Sequence, residues 1–337
     1  MQGPMLNLPI RWGILGTGQI ARAFAAGLSD VPGAELAAIA SRNCDTAQAF
    51  AEEFGANRHY GDYRSLASDP QIDVIYVATP HNLHAENTIM CLQAGKAVLC
   101  EKPFTINRRQ AHDVIDVARR NKRFLMEAMW TRYLPAIQEA KRLLDQGAIG
   151  VPQYIQADFG FAAAVNADHR LLSKQFGGGA LLDIGIYPLS LAAYFLGEIS
   201  ETHAQATLGD TGIDLQTAFI LRHRDGGLSS CICSIVAPSP VALTISGSAG
   251  IVQVNAPFFK SQSLTVTTPD GVTRTIQLPY LGNGYTHEAI EVGRCLQQGL
   301  LESPSMPLDE TLALMTCLDT IRAQIGVNYP ADEEEIV

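Results

Sequence analysis

Arg11-Trp12-Gly13-Ile14-Leu15-Gly16-Thr17-Gly18-Gln19-Ile20-Ala21 decides how this chain is read. A short apolar run breaks into glycines and then into the helix-like Ala21-Arg22-Ala23-Phe24, which reads as strand, tight turn and helix. In a dinucleotide fold Gly16 permits the turn, Gly18 lets the backbone approach a pyrophosphate, and small Ala21 lets helix and strand pack closely. The N–H groups of Thr17, Gln19 and Ile20 then face the phosphates at the positive end of the helix. A glycine turn without a ligand has the same spacing, so the flanking chain must decide.

The next strand, Glu35 to Ala40, ends in Ser41-Arg42-Asn43, with no acid until Asp45. An NAD site places Asp or Glu about 20 residues beyond the glycines, on the ribose 2′-hydroxyl, whereas a basic residue accommodates the 2′-phosphate of NADP. The Arg42 guanidinium is suited to pairing with phosphate and stacking on adenine, so NADP is expected over NAD. A solvated surface arginine is the alternative.

At 337 residues, with 47% hydrophobic and 17% charged side chains, the chain fits a folded protein of two domains. Residues 1–128 carry 13 basic and 13 acidic side chains, so the whole net charge of −10 falls after residue 128. Such a balance leaves no basic footprint for nucleic acid. The seven cysteines show no C-x-x-C spacing, which fits reduced thiols in a cytoplasmic protein. The N-terminus shows no targeting pattern, and no apolar run approaches the roughly 18 residues of a membrane span. The acidic end, Ala331 to Val337, reads as a solvated tail.

Between Trp12 and Ala128 short apolar runs alternate with helical spacing, as in βαβ units: Asp73 to Thr79, Ala97 to Cys100 and Arg123 to Met126 continue the strands. This predicts a Rossmann-type doubly wound parallel sheet over 1–128, with ligands at the carboxyl ends of its strands. After Trp130 the pattern changes to a helix, Pro135 to Asp145, and then to long alternating strands with a hairpin at Asp225-Gly226-Gly227. Residues 129–337 are therefore expected to form an α+β domain on an open, mainly antiparallel sheet, for substrate binding and dimerisation.

Three further stretches carry chemistry. Thr79-Pro80-His81-Asn82-Leu83-His84 follows a buried strand and faces the ligand crevice, where His84 is either a cofactor contact or a capping or surface histidine. Glu101-Lys102-Pro103 stands at the end of the next strand. In Gly177-Gly178-Gly179-Ala180-Leu181-Leu182-Asp183-Ile184-Gly185-Ile186-Tyr187 a glycine run opens a helix, and Asp183 and Tyr187, four apart, share one face. No His/Cys/Asp/Glu cluster has zinc-ligand spacing.

In order and spacing these stretches resemble the Gfo/Idh/MocA oxidoreductase family over essentially the whole chain. Met126-Glu127-Ala128-Met129-Trp130-Thr131-Arg132-Tyr133 is similar to the branch that contains dimeric dihydrodiol dehydrogenase and NADP-dependent D-xylose dehydrogenase. The resemblance implies that Lys102 hydrogen-bonds the cofactor ribose and the reacting oxygen, that Asp183 orients the substrate, and that Tyr187 moves the proton. Many relatives have His in place of Tyr187, which points away from a sugar or inositol dehydrogenase with a histidine base. Hydride transfer at a carbinol carbon needs such a proton carrier, and a neighbouring ammonium makes a phenol a better base.

Trp130, Phe159 and Tyr285 are candidates for the substrate wall, with Arg132 nearby in sequence, and aromatic faces suit a sugar or a dihydrodiol ring. The reading is an NADP-dependent oxidoreductase of a small sugar or diol, a homodimer or higher homo-oligomer that buries the open sheet face. The alternatives are an NAD-linked polyol or inositol dehydrogenase and a nucleotide-binding sensor without turnover.

Overall fold

Ile10–Leu15 forms strand β1 and Gln19–Leu28 helix α1, with the glycine turn between them. The computed structural model describes residues 9–166 and 169–333. The N-terminal stretch read for a targeting signal lies outside the described residues up to residue 8, as does the end of the acidic tail from residue 334.

From α1 the chain alternates regularly through β2 (Ala34–Ala40), α2 (Cys44–Phe54), β3 (Arg58–Tyr60), α3 (Tyr63–Ser68) and β4 (Val74–Val77). It continues with α4 (His84–Gln93), β5 (Ala97–Glu101), α5 (Arg108–Asn121) and β6 (Leu125–Ala128). Asn43, Asp62 and Asn107 start α2, α3 and α5 by accepting the backbone N–H of Thr46, Ser65 and Gln110. The six strands are parallel in the order β3-β2-β1-β4-β5-β6. Their order reverses between β1 and β4, the switch point beyond which such sheets bind ligands. Every residue of β4, β5 and β6 is buried, as in a sheet covered on both faces.

The second sheet is built by α6 (Pro135–Asp145), β7 (Pro152–Gly160), α7 (Ile186–Leu196), β8 (Ile199–Leu208), β9 (Asp214–His223) and β10 (Leu228–Ser234). β11 (Leu243–Gly247), β12 (Ile251–Val254), β13 (Ser263–Thr267) and β14 (Thr273–Gln277) complete it. Its order is β14-β13-β12-β11-β7-β10-β9-β8, antiparallel except for the parallel pair of β7 and β10. The expected hairpin joins β9 to β10, with Gly226 at φ 94°. Alternation sends Ile155, Ala157, Phe219, Leu221, Cys231, Cys233 and Ile245 inward, where all are buried. The other face leaves Tyr154, Ile220, Leu228 and Ile232 exposed. Among the described residues one stretch, Lys174–Leu196, is long and apolar enough to cross a membrane, but 83% of its apolar window is buried inside the protein, which assigns it to the core.

The chain ends with α8 (Thr286–Gln297) and α9 (Leu308–Ile325). Two compact units result, and no single cut near residue 128 separates them. The first takes the chain up to Trp130 together with Leu281–Leu312, the second Thr131–Tyr280 and the chain from Ala313. α8 joins the first unit because Asn283 Nδ2 donates to the Ala23 carbonyl at 2.7 Å and the Thr286 hydroxyl to the Gly27 carbonyl at 2.9 Å. The acidic tail is also less solvated at its start than its composition implies. Asp332 holds Arg322 at 2.7 Å and accepts the Tyr329 amide at 2.8 Å.

Candidate active site

In the first unit the glycine turn is shaped by close approach. A side chain at Gly16 would put its Cβ 2.6 Å from the Ala78 carbonyl, and the backbone there has φ 107°, so only glycine fits. At Gly18 an added Cβ meets nothing within 4 Å, and no side chain caps the helix start. Thr17 and Ile20 are half-buried and Gln19 exposed, with no acidic residue in the first turn of α1. An open approach and uncapped N–H groups fit the pyrophosphate of a dinucleotide.

Ser41 is buried at the end of β2, while Arg42 is exposed and its charge acts on the Tyr63 hydroxyl. Burial raises that hydroxyl above its ordinary pKa, and the guanidinium opposes the shift. Arg42 and Tyr63, with Arg64, Leu83, Asn87 and Met90, line a cleft of about 660 Å³. Tyr63 and Arg64 carried no signal in the sequence, because they follow a three-residue strand too short to show alternation.

The loop after β4 is held from behind. Thr79 accepts from Asn87 at 3.2 Å, Pro80 and Asn82 are half-buried, and the buried His81 ring meets His84 edge-on at 5.6 Å. His84 is fully enclosed, with Nδ1 2.8 Å from the Pro103 carbonyl and Nε2 2.9 Å from that of Thr79. It is thus neither a surface residue nor an open ligand contact, but a tie between two strand-end loops. Two carbonyl acceptors favour a doubly protonated ring. Burial opposes it, as does the Lys102 charge to a lesser degree, and prevails by pushing His84 down to about 4. The neutral ring then donates through one nitrogen.

Glu101 likewise faces inward. One carboxylate oxygen takes the Tyr76 hydroxyl and the other the Lys102 amide at 3.0 Å, so Glu101 shapes the backbone that presents Lys102. The Lys102–Pro103 peptide is cis. Trp130 is 3% exposed and stacks on Tyr285, with ring centroids 4.3 Å apart. Behind them Glu288 is fully buried, with no hydrogen-bond partner on either carboxylate oxygen. Burial, reinforced by the Glu101 charge, pushes it well above the usual carboxylate range.

In the second unit the Gly177 run does not cradle an anion. A Cβ at Gly178 would lie 2.5 Å from the Leu171 carbonyl and one at Gly185 2.9 Å from Cys233 Sγ, so these glycines serve close packing. The expected α-helical start is a π-helical turn, Leu181–Gly185, which passes into α7. Such turns recur at functional sites. Asp183 in this turn is paired with Arg170 at 3.4 Å, a partner the sequence did not disclose. Tyr187 lies 5.5 Å from the Phe159 ring, which stacks on Phe259 at 4.6 Å. Arg132 departs from the expected wall. It is fully buried, and its guanidinium donates to Ser190 Oγ at 2.9 Å and lies over the Tyr194 ring at 4.7 Å, an internal tie between α7 and the chain before α6.

Asp214, the first residue of β9, was also silent in the sequence. Its Oδ2 accepts the Leu181 N–H and the Thr217 hydroxyl, each at 2.7 Å, and burial pushes it up to about 6 against those bonds. Among the described residues no group of three His, Cys, Asp or Glu side chains assembles a metal site.

A parallel sheet with an uncapped helix start at its switch point, followed by an open sheet, defines the class of dinucleotide-dependent oxidoreductases built in two units. Residues 10–129 match the model described as "Oxidoreductase family, NAD-binding Rossmann fold", and residues 137–253 the "GFO/IDH/MocA C-terminal domain". The trans-1,2-dihydrobenzene-1,2-diol dehydrogenase of Xenopus tropicalis is 37% identical over 332 residues, covering 95% of this chain and 99% of the relative. The chain therefore belongs to the Gfo/Idh/MocA oxidoreductase family and is a nicotinamide-dependent dehydrogenase. Among solved structures, a 3-ketoreductase from Actinomadura kijaniata in complex with NADP and TDP-benzene is 29% identical with a TM-score of 0.84, covering 94% of this chain and 98% of its own. Variants of that enzyme with a tyrosine changed to phenylalanine and with a lysine changed to alanine are also solved. A levoglucosan dehydrogenase in complex with NADH and levoglucosan shares the fold, with 22% identity and a TM-score of 0.86 over 94% of this chain and 97% of its own.

The Asp214 carboxyl is protonated more readily in the folded chain than in the unfolded one. Its contribution to stability is therefore largest below about pH 4 and declines as pH rises to about 6. Asp214→Asn removes this dependence. Urea denaturation should show the stability of the variant relative to the parent rising by up to about 3 kcal/mol between pH 4 and pH 7, and a constant difference would contradict the assignment.

Proposed function

We propose that this protein is an NADP-dependent oxidoreductase that interconverts a secondary alcohol and its carbonyl in a sugar, anhydrosugar or dihydrodiol, with Lys102 and Tyr187 as the acid–base pair. The observation that carries this reading is the construction around Lys102. A buried carboxylate, Glu101, accepts its amide, so the ammonium stands on a backbone fixed at the carboxyl end of β5. The diol dehydrogenase relatives give the substrate class, and the lysine and tyrosine variants of the ketoreductase support the same two residue types.

When bound, a nicotinamide would supply or accept the hydride. Tyr187 gives or takes the proton at the substrate oxygen, Lys102 hydrogen-bonds that oxygen and the ribose, and Asp183 orients the substrate. The Tyr187, Phe159 and Phe259 rings offer apolar faces to a diol or sugar ring. Arg42 beside Tyr63 and Arg64 supplies the positive edge for a ribose 2′-phosphate. The outer sheet face, where Ile220, Leu228 and Ile232 are 53%, 42% and 45% exposed on adjacent strands, is the surface that a second copy would cover.

Three measurements test these assignments. Lys102→Met and Tyr187→Phe should each lower kcat at least ~100-fold on a panel of dihydrodiols, sugars and anhydrosugars followed by NADPH absorbance, with cofactor still bound; full turnover by either would remove the mechanism. Fluorescence titration should find NADP bound more tightly than NAD, and Arg42→Glu should reverse the order. Equal or tighter NAD binding by the parent protein would overturn the cofactor assignment. Sedimentation should give at least twice the 36.3 kDa chain mass, reduced to one chain by Ile220→Glu with Ile232→Glu. A monomeric parent would sink the interface.

A further inference from the structure

We propose that Asp214 is a positioning residue: through Oδ2 it fixes the turn Leu181–Gly185, and thereby the directions in which Asp183 and Tyr187 project. The proposal rests on the roles given above to those two side chains. Leu181 stands in the first turn of the helical segment, where backbone N–H groups have no carbonyl within the helix to meet. The acceptor comes instead from β9, 33 residues away in sequence, at 2.7 Å. The Thr217 hydroxyl, also at 2.7 Å, holds the same oxygen from within the strand. The turn is built to fit the carboxylate, since a Cβ at Gly179 would lie 2.3 Å from Oδ1 and that residue has φ 121°. Tyr329, whose hydroxyl donates to the Gly178 carbonyl at 2.6 Å, closes the other side.

The charged and titratable groups acting on Asp214 are Arg322, Cys233 and Tyr329. Arg322 is held by Asp319 at 2.6 Å and Asp332 at 2.7 Å. Oδ1 is buried without a hydrogen-bond partner, so the carboxylate is spent on the turn and on Thr217 rather than on an ion pair. An acid is costly to bury, but an ionised acceptor makes stronger hydrogen bonds than a neutral one. It therefore holds a single main-chain donor more firmly than a hydroxyl or amide in its place.

The experiment compares Asp214→Ala, Asp214→Asn and Thr217→Val in the full-length protein by amide hydrogen exchange and steady-state kinetics. In Asp214→Ala, exchange across Leu181–Gly185 should rise at least ~10-fold while the amides of β11 to β13 keep their rates, and kcat should fall ~10-fold with KM for the cofactor unchanged. Asp214→Asn, which keeps a weaker acceptor oxygen, should recover most of both. Thr217→Val removes one neighbouring bond without touching the Leu181 contact, and should speed exchange in the turn by roughly 3-fold even where the alanine variant fails to fold. Unchanged exchange in the turn of Asp214→Ala, or of Thr217→Val where that variant alone folds, would overturn the proposal, as would a loss of kcat in Asp214→Asn equal to that of the alanine variant. A loosened turn in a protein whose Tyr187→Phe variant keeps full turnover would uphold the positioning and discard only the catalytic role of the phenol.

Discussion

The constraint on which both units depend is backbone brought so close to a polar atom that no side chain fits between. At Gly16 the first turn passes 2.6 Å, measured from where a Cβ would be, from the carbonyl of Ala78 at the end of β4. This packs the turn against the neighbouring strand and aims the start of α1 beyond the sheet. At Gly179 the same device brings a chain turn against the Asp214 carboxylate. One glycine cluster opens a space and the other fills one, so the two have different chemical meaning despite similar sequence. Only the open space beside Gly18 has the character of a ligand cradle.

Behind these turns lies a layer of buried polar groups that hold loops rather than ligands. His84 joins the carbonyls after β4 and β5, and Glu101 joins Tyr76 to the amide of Lys102. Burial keeps His84 neutral at ordinary pH and pushes Glu288 well above the usual carboxylate range, whereas Asp214, raised to about 6, is still mostly ionised at neutral pH. Strand-end loops are ordinarily the most mobile part of such a sheet. Here internal bonds remove that freedom at the loops that carry Thr79 and Lys102.

The architecture was legible because its signals are periodic. Fully apolar runs gave the parallel strands, alternation gave β7, β9 and β10, and the Asp-Gly-Gly hairpin fixed the pairing of β9 with β10. β8 was missed because it lies at the sheet edge, where Glu201, His203 and Gln205 face solvent and only Thr202 is fully buried, so no apolar alternation forms. β3 was missed for its length. The proposed site rests, in the sequence, on residue types with one use: the glycines, Lys102 and Tyr187. Arg170, Phe259 and Asp214 reach the Asp183–Tyr187 segment across 13 to about 70 residues of chain, and no local pattern encodes that approach. Arg132 shows the converse. Its place in the sequence beside Trp130 implied a shared wall, whereas the chain turns there and buries the guanidinium on Ser190.

Cofactor choice cannot be a property of the fold. The ketoreductase solved with NADP and the levoglucosan dehydrogenase solved with NADH match this chain with TM-scores of 0.84 and 0.86, so the same backbone accepts either ribose. The difference must lie in side chains at the end of β2 and in what fixes them. In this chain that edge holds an arginine rather than an acid, and Tyr63 from the start of α3 lines the same cleft. The proposed preference for a 2′-phosphate therefore rests on that edge, where Arg42, Tyr63 and Arg64 line one cleft.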